Sequence, residues 1–233
     1  MNAALLLLAD SRLPAGGHGH SGGAEEAVRI GAIRDLAGLA AFLRGRLATA
    51  GLVTAALAAA ACDLGASPAA ATGRSEWTRL DAEADARISS PAQREASRTQ
   101  GRLLLRTSRR IWPSPVLDTL AGALPQGAHH PLALGAVAAV AGCSPAEAAL
   151  AAAYTSVTGP ATAAVRLLGL DPVAVHRLLA DLAPAVERAA ATVPTGGEAR
   201  WEACWEALPA HASPALDLLA EHHIRADMRL FVS

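Results

Sequence analysis

The run Gly19-His20-Ser21-Gly22-Gly23 puts a serine and a histidine in the G-x-S-x-G spacing of a hydrolase nucleophile elbow. Such a serine needs a buried strand before it, a helix after it and a base within reach. The residues upstream do not supply the strand, because Pro14, Gly16, Gly17 and Gly19 interrupt any extended run. Ser21 also comes too early in the chain for the strands and oxyanion loop that precede an elbow. The same glycines look like a phosphate cradle. A Walker loop ends in Gly-Lys-Ser/Thr, however, and all 20 cations of this chain are arginine. A dinucleotide fingerprint fails for want of the leading strand. A small serine hydrolase built on Ser21 stays as the alternative reading, and no catalytic residue is assigned.

Three histidine pairs, His18-x-His20, His129-His130 and His222-His223, offer imidazole to nickel, copper or zinc. Adjacent histidines on a helix diverge, and no cysteine or aspartate cluster completes a ligand set. Cys62, Cys143 and Cys204 are odd in number and far apart in sequence, so they form neither a CxxC knuckle nor a disulfide framework. No metal and no cofactor is therefore expected. The arginines between Arg94 and Arg110 are diluted by Glu95, the net charge is −1 and only 3% of residues are aromatic. That composition argues against a nucleic-acid platform and leaves a solvated helix face or a protein contact.

The elements that must position these residues read as helices. The chain is 52% hydrophobic, dominated by Ala and Leu, with few β-branched or aromatic residues. No segment alternates with period two for long enough to make a strand. After the apolar run Leu5–Leu8, the loop from Asp10 leads to a helix start at Ala24-Glu25-Glu26. One long helix is expected over Leu36–Ala61; the longest apolar run, Leu47–Cys62, overlaps it, reads as buried helix and falls short of the ~20 residues that span a bilayer. A small-residue linker follows at 65–73, then a helix at Ser75–Arg87 capped by Ser75. Ser90-Pro91 opens a helix to Ile111, and another covers Val116–Ala123. His129-His130-Pro131 opens one to Ala141, and Ser144-Pro145-Ala146-Glu147 is a capping box. Thr158-Gly159-Pro160 should kink or break the helix that follows, before Ala161–Leu168. Asp171-Pro172 begins the next, to Ala191. A mobile loop is expected near 194–198, then Glu198–Leu208 with Trp201 and Trp205 as core anchors, and a last helix from Ser213-Pro214. The expected class is all-α, one compact domain of about ten helices over residues 1–233. No secretory leader precedes Leu5 and the cysteines read as reduced thiols, which fits a cytoplasmic protein with no membrane span. The tail Leu230-Phe231 would fray unless docked on its own body or on another protein.

In order along the chain, several blocks resemble UreF-type urease accessory proteins. They are Leu8-Ala9-Asp10-Ser11-Arg12-Leu13-Pro14 with Gly16-Gly17, His20-Ser21-Gly22-Gly23 and Glu25; Arg94-Glu95 and Arg98 before Gln100-Gly101; Tyr154 upstream of Ala163-Ala164-Val165-Arg166-Leu167; and the ending Arg229-Leu230-Phe231-Val232-Ser233. The resemblance implies a non-catalytic, dimerising helical chaperone of nickel urease maturation. It would bind the accessory protein UreD (or UreH), recruit and regulate the GTPase UreG, and help deliver nickel to apo-urease. Carried over by residue, Glu25, Tyr154 and Arg166 face the GTPase, and Arg229, Leu230, Phe231 and Ser233 face UreD/UreH. Asp10, Ser11, Arg12, His20 and Ser21 shape the N-terminal loop. This chain departs from the family's usual pattern at Gly159-Pro160 and after Arg166, where it reads Gly169-Leu170-Asp171-Pro172. A helical adaptor unrelated to urease is the remaining alternative.

Overall fold

The computed structural model describes residues 2–192 and 205–232. The loop expected near 194–198, the helix start at Glu198, Trp201 and Ser233 lie outside them. Among the described residues there are 10 helices and no strand. They are α1 (Ala3–Ala9), α2 (Ala24–Arg29), α3 (Leu36–Ala66), α4 (Arg74–Arg87), α5 (Pro91–Ile111), α6 (Pro115–Ala123), α7 (His130–Val140), α8 (Pro145–Leu168), α9 (Pro172–Ala191) and α10 (Pro214–His223).

Local capping explains most of the starts. Asp35 accepts the Gly38 N–H at 2.8 Å, and Ser90, Ser114 and Asp171 accept first-turn N–H groups in the same way. Proline stands in the first turn of α5, α6, α7, α8, α9 and α10, where its missing N–H costs nothing. At α8 the capping box forms in full: Ser144 accepts from the Glu147 N–H, and Glu147 accepts from the Ser144 N–H. The other Glu147 oxygen takes the Asn2 N–H at 2.8 Å. The Asn2 amide in turn reaches the Ala141 carbonyl, so α1 is tied to the α7–α8 corner. Ser75 does not cap α4 as expected. The helix begins one residue earlier at Arg74, and the Ser75 hydroxyl donates to Glu76.

The core is built around α3, which packs most extensively on α7 and α8. Close approach of α3 and α7 depends on Gly135, where a Cβ would overlap the carbonyl oxygen of Ala58. The alanines Ala55, Ala58, Ala61, Ala133 and Ala136 are fully buried along the same seam. Leu36–Ala66 is long and apolar enough to cross a membrane, but 61% of its most apolar window is buried in this packing. Instead of a plain linker, residues 65–73 hold the end of α3 and a 3₁₀ turn at Pro68–Ala71. There the buried Trp77 indole donates to the Ala70 carbonyl at 3.2 Å.

The break expected at Thr158-Gly159-Pro160 does not occur, since α8 runs unbroken from Pro145 to Leu168 with Pro160 inside it. An internal proline removes the bond to the carbonyl four residues back, here Ser156. That carbonyl instead accepts the Arg46 Nε–H at 2.9 Å. The tertiary donor replaces the helical one, and the helix continues.

Candidate functional site

The N-terminal loop is pinned at both ends. The Thr107 hydroxyl on α5 donates to the Pro14 carbonyl at 2.8 Å. Arg12 closes back on Asp10 through its backbone N–H at 2.8 Å and its guanidinium at 2.9 Å, and this contact holds the Asp10 carboxyl below its usual range. At the other end Gly22 and Gly23 have φ of 60° and 89°. With the Ala24 N–H bonded to the Ser21 carbonyl, they form a tight turn whose two central positions both need positive φ, a conformation open to glycine. Ser21 is fully buried, and its Oγ accepts the Glu25 N–H at 3.3 Å. It caps α2 from within the fold, not from an exposed turn between strand and helix, which is the opposite of what a nucleophile elbow requires.

That turn delivers Glu25 to the C-terminal tail. Its two carboxylate oxygens accept the backbone N–H groups of Leu230 at 2.7 Å and Phe231 at 3.1 Å. The buried His223, at the end of α10, lies 3.7 Å from the same carboxylate and 3.3 Å from the Phe231 carbonyl. The Val232 N–H completes the docking on the Gly19 carbonyl. The Phe231 ring is buried beneath Arg166, whose guanidinium carbon stands 4.9 Å from the ring centre. A guanidinium over an aromatic face is attracted by the ring's quadrupole. The tail is thus held on its own body, while Met228, Leu230 and Val232 turn outward at 91%, 73% and 58% exposure.

The residues assigned by resemblance to two separate partner surfaces therefore meet. Glu25 and Arg166 are the docking groups of the Arg229–Val232 tail, and Tyr154 lies on the Arg166 helix, exposed. A cleft of about 990 Å³ opens beside this junction, lined in part by His18, His20, Tyr154, Arg166, His223 and Phe231. Asp10 and Ser11 reach its rim; Arg12 stays exposed on the loop. His20 is buried, and burial pushes it down to about 4; His130, which also lines the cleft, is pushed to about 4 by burial and by His20. Both imidazoles are neutral at neutral pH. His18 is exposed.

Three features went unread in the sequence. One is His223 as a partner of Glu25. The second is Arg46, which bonds both Ser156 and, at 2.8 Å, the Gly22 carbonyl. The third is an ion network where the arginines of α5 were expected to be solvated. Arg98 is mostly buried and holds Asp81 and Asp85 at 2.8 Å each, as well as the Gly127 carbonyl. The fully buried His129 puts Nε2 at 2.9 Å from Asp85, and its backbone N–H donates to Asp81. Asp81, Asp85 and His129 bring three ligand atoms within 4.8 Å of one another, a spacing a cation could use. Arg98 already pairs with both carboxylates, so the group reads as a tie between α4, α5 and the start of α7. The thiol of Cys62 donates to the Cys143 carbonyl at 3.4 Å, and burial raises it to about 12, which makes it unreactive.

A family model described as UreF matches residues 33–183. The chain is 48% identical over 231 residues to a protein named urease accessory protein UreF from Mycolicibacterium vanbaalenii, covering 99% of this chain and 98% of the relative. A Mycobacterium marinum protein of the same name is 45% identical, again over 99% of this chain and 98% of its own length. One from Mycobacterium tuberculosis is 41% identical with the same coverage. A match of this extent, together with the helical fold and the docked Arg-Leu-Phe tail, leaves no room for an unrelated adaptor: the chain belongs to the UreF family of urease accessory proteins.

Proposed function

We propose that this protein is a non-catalytic scaffold of urease maturation that binds UreD/UreH, recruits and regulates the GTPase UreG, and so supports nickel insertion into apo-urease. The observation that carries the reading is the clasp of Glu25 and Arg166 on the Leu230-Phe231 tail. A scaffold acts by favouring one state of its partner, and it can do so only through differential affinity. The clasp supports a composite surface of that kind. The outward Met228, Leu230 and Val232 offer an apolar strip to one protein. Beside it, the exposed Arg166 offers a charge that sets register for another, on a surface that the largely buried Glu25 holds in place. Arg12 and Arg166 are already engaged, with Asp10 and Phe231 respectively, which favours positioning of the GTPase's own residues over an arginine finger supplied by this chain. Homodimerisation and a cytoplasmic setting belong to the same reading.

The test is reconstitution with purified UreG, with and without UreD/UreH. Deleting residues 229–233 is expected to weaken the UreD/UreH complex, and Glu25→Ala with Arg166→Ala to weaken GTPase recruitment. Unchanged co-elution on gel filtration in both cases would sink the assignment.

A further inference from the structure

Three departures from local backbone rules converge on one side chain. The long helix α3 winds into a π-helical turn at Leu47–Gly51, immediately after Arg46. Such turns are rare and re-aim the residues beside them. Helix α8 carries Pro160, which leaves the Ser156 carbonyl without its helical donor. The N-terminal loop turns at Gly22 with a left-handed φ of 60°. All three come together in space. A Cβ on Gly22 would lie 3.0 Å from Pro160 and 3.1 Å from the Arg46 guanidinium, and a Cβ on Gly51 would lie 2.8 Å from the Ser156 hydroxyl. The Arg46 guanidinium sits in the middle, with Nε on the Ser156 carbonyl at 2.9 Å and a terminal nitrogen on the Gly22 carbonyl at 2.8 Å.

We infer that Arg46 is a positioning residue: it takes the carbonyl that Pro160 exposes and the carbonyl of the glycine turn, and thereby fixes the turn that aims Glu25 at the C-terminal tail. The planar fork of guanidinium donors suits two carbonyls on different elements, which an ammonium cannot match in one geometry. Gly22 is three residues before Glu25, so a shift of the turn moves the start of α2 and the carboxylate that holds Leu230 and Phe231. The proline in α8 then has a use, because it supplies the acceptor by which α3 grips the loop. Burial lowers Arg46 to about 10, so it keeps its charge at neutral pH. The relevance of this to partners rests on the composite-surface reading above; its effect on the turn does not.

The experiment is amide exchange by mass spectrometry on the full chain, comparing wild type, Arg46→Met, Arg46→Lys, Pro160→Ala and the Arg46→Met/Pro160→Ala double variant. Hydrogen bonds from a charged donor predict roughly tenfold to hundredfold faster exchange across 21–27 and 230–232 in Arg46→Met. Exchange within α7 should be unchanged, and Arg46→Lys intermediate. Pro160→Ala restores an N–H for Ser156. It should therefore be near wild type alone and should shrink the Arg46→Met effect over 156–164. Wild-type exchange at 21–27 in Arg46→Met would overturn the inference. So would equal effects of Arg46→Met over 156–164 in the two backgrounds, which is the signature of general destabilisation. If Arg46→Met does not fold, Arg46→Lys carries the same comparison, and wild-type exchange there overturns it. UreG pull-down on the same variants separates the two readings: faster exchange with recruitment unchanged would support Arg46's role and overturn the partner-surface reading.

Discussion

A carboxylate at the start of a helix ordinarily caps its own N–H groups or faces water, where the dipole favours it. Glu25 does something else, accepting two successive N–H groups from the C-terminal tail, 205 and 206 residues away. Removing it as Glu25→Ala should cost the tail about 1.5–3 kcal/mol of docking, the worth of hydrogen bonds to a charged group. Exchange at the Leu230 and Phe231 amides should then rise more than tenfold with little change in the melting temperature, and protected amides in the variant would contradict this. Two cleft-lining histidines, one buried and one half-buried, make a second prediction. His20 and His130 are held near 4 in the fold, against an ordinary value of 6.5. Between those limits the unfolded chain binds more protons, so their contribution to stability is complete above about pH 6.5 and is lost as pH falls toward 4. Melting temperature should fall on acidification from about pH 7 to about pH 5, by about 2–4 °C for each kcal/mol lost. His130→Gln should flatten that slope in a scanning-fluorimetry series, and an unaltered slope would mean other groups set it. The Gly-His-Ser run was legible as a shaped loop because glycine and proline act locally. Which of its histidines would be buried was not, because burial comes from α7 and the tail.

At the scale of elements, the helix starts were legible for a physical reason: Ser90-Pro91, Ser144-Pro145 and Asp171-Pro172 satisfy their orphan N–H groups with their own neighbours. The continuity of α8 was not legible, because the donor that rescues its proline comes from 110 residues earlier in the chain. The same holds for Arg98. The sequence shows an arginine every few residues along α5, and nothing local marks the one that turns inward onto Asp81 and Asp85. Asp81 also caps the backbone of His129, so a single network fixes α4 against α5 and sets the entry to α7. Removing the cation would leave the buried Asp81 uncompensated. Arg98→Met is therefore expected to destabilise the fold by about 3–5 kcal/mol, the usual penalty for orphaning one member of a buried pair. Asp85→Asn should cost less, since Asp85 is 45% exposed and water can take over its role. Urea midpoints for the two variants check the order, and a smaller loss for Arg98→Met than for Asp85→Asn would refute the network's assignment.

For the whole molecule, the consequence of the clasp is linkage. Sequence blocks at the two ends of the chain looked like two partner surfaces, and nothing in their composition announced that one would be seated on the other. The tail presents Met228, Leu230 and Val232 outward while Phe231 is held inward under Arg166. A protein that covers the outward strip without displacing Phe231 stabilises the docked tail, and with it the arrangement of Glu25 and Arg166. A second protein that reads Arg166 and the surface Glu25 fixes in that arrangement must then bind more tightly, and by reciprocity must strengthen the first. UreD/UreH is accordingly expected to raise the affinity for UreG by about 5- to 150-fold, a coupling of ~1–3 kcal/mol. The dependence should vanish in a chain lacking residues 229–233, and should shrink in Glu25→Ala even where each partner still binds alone. Titrating UreG onto wild type and both variants, with and without saturating UreD/UreH, measures the coupling directly. Equal coupling in wild type and Glu25→Ala would show that the two partners communicate through some other part of the fold, because Glu25 is the group whose carboxylate joins α2 to the Leu230 and Phe231 amides.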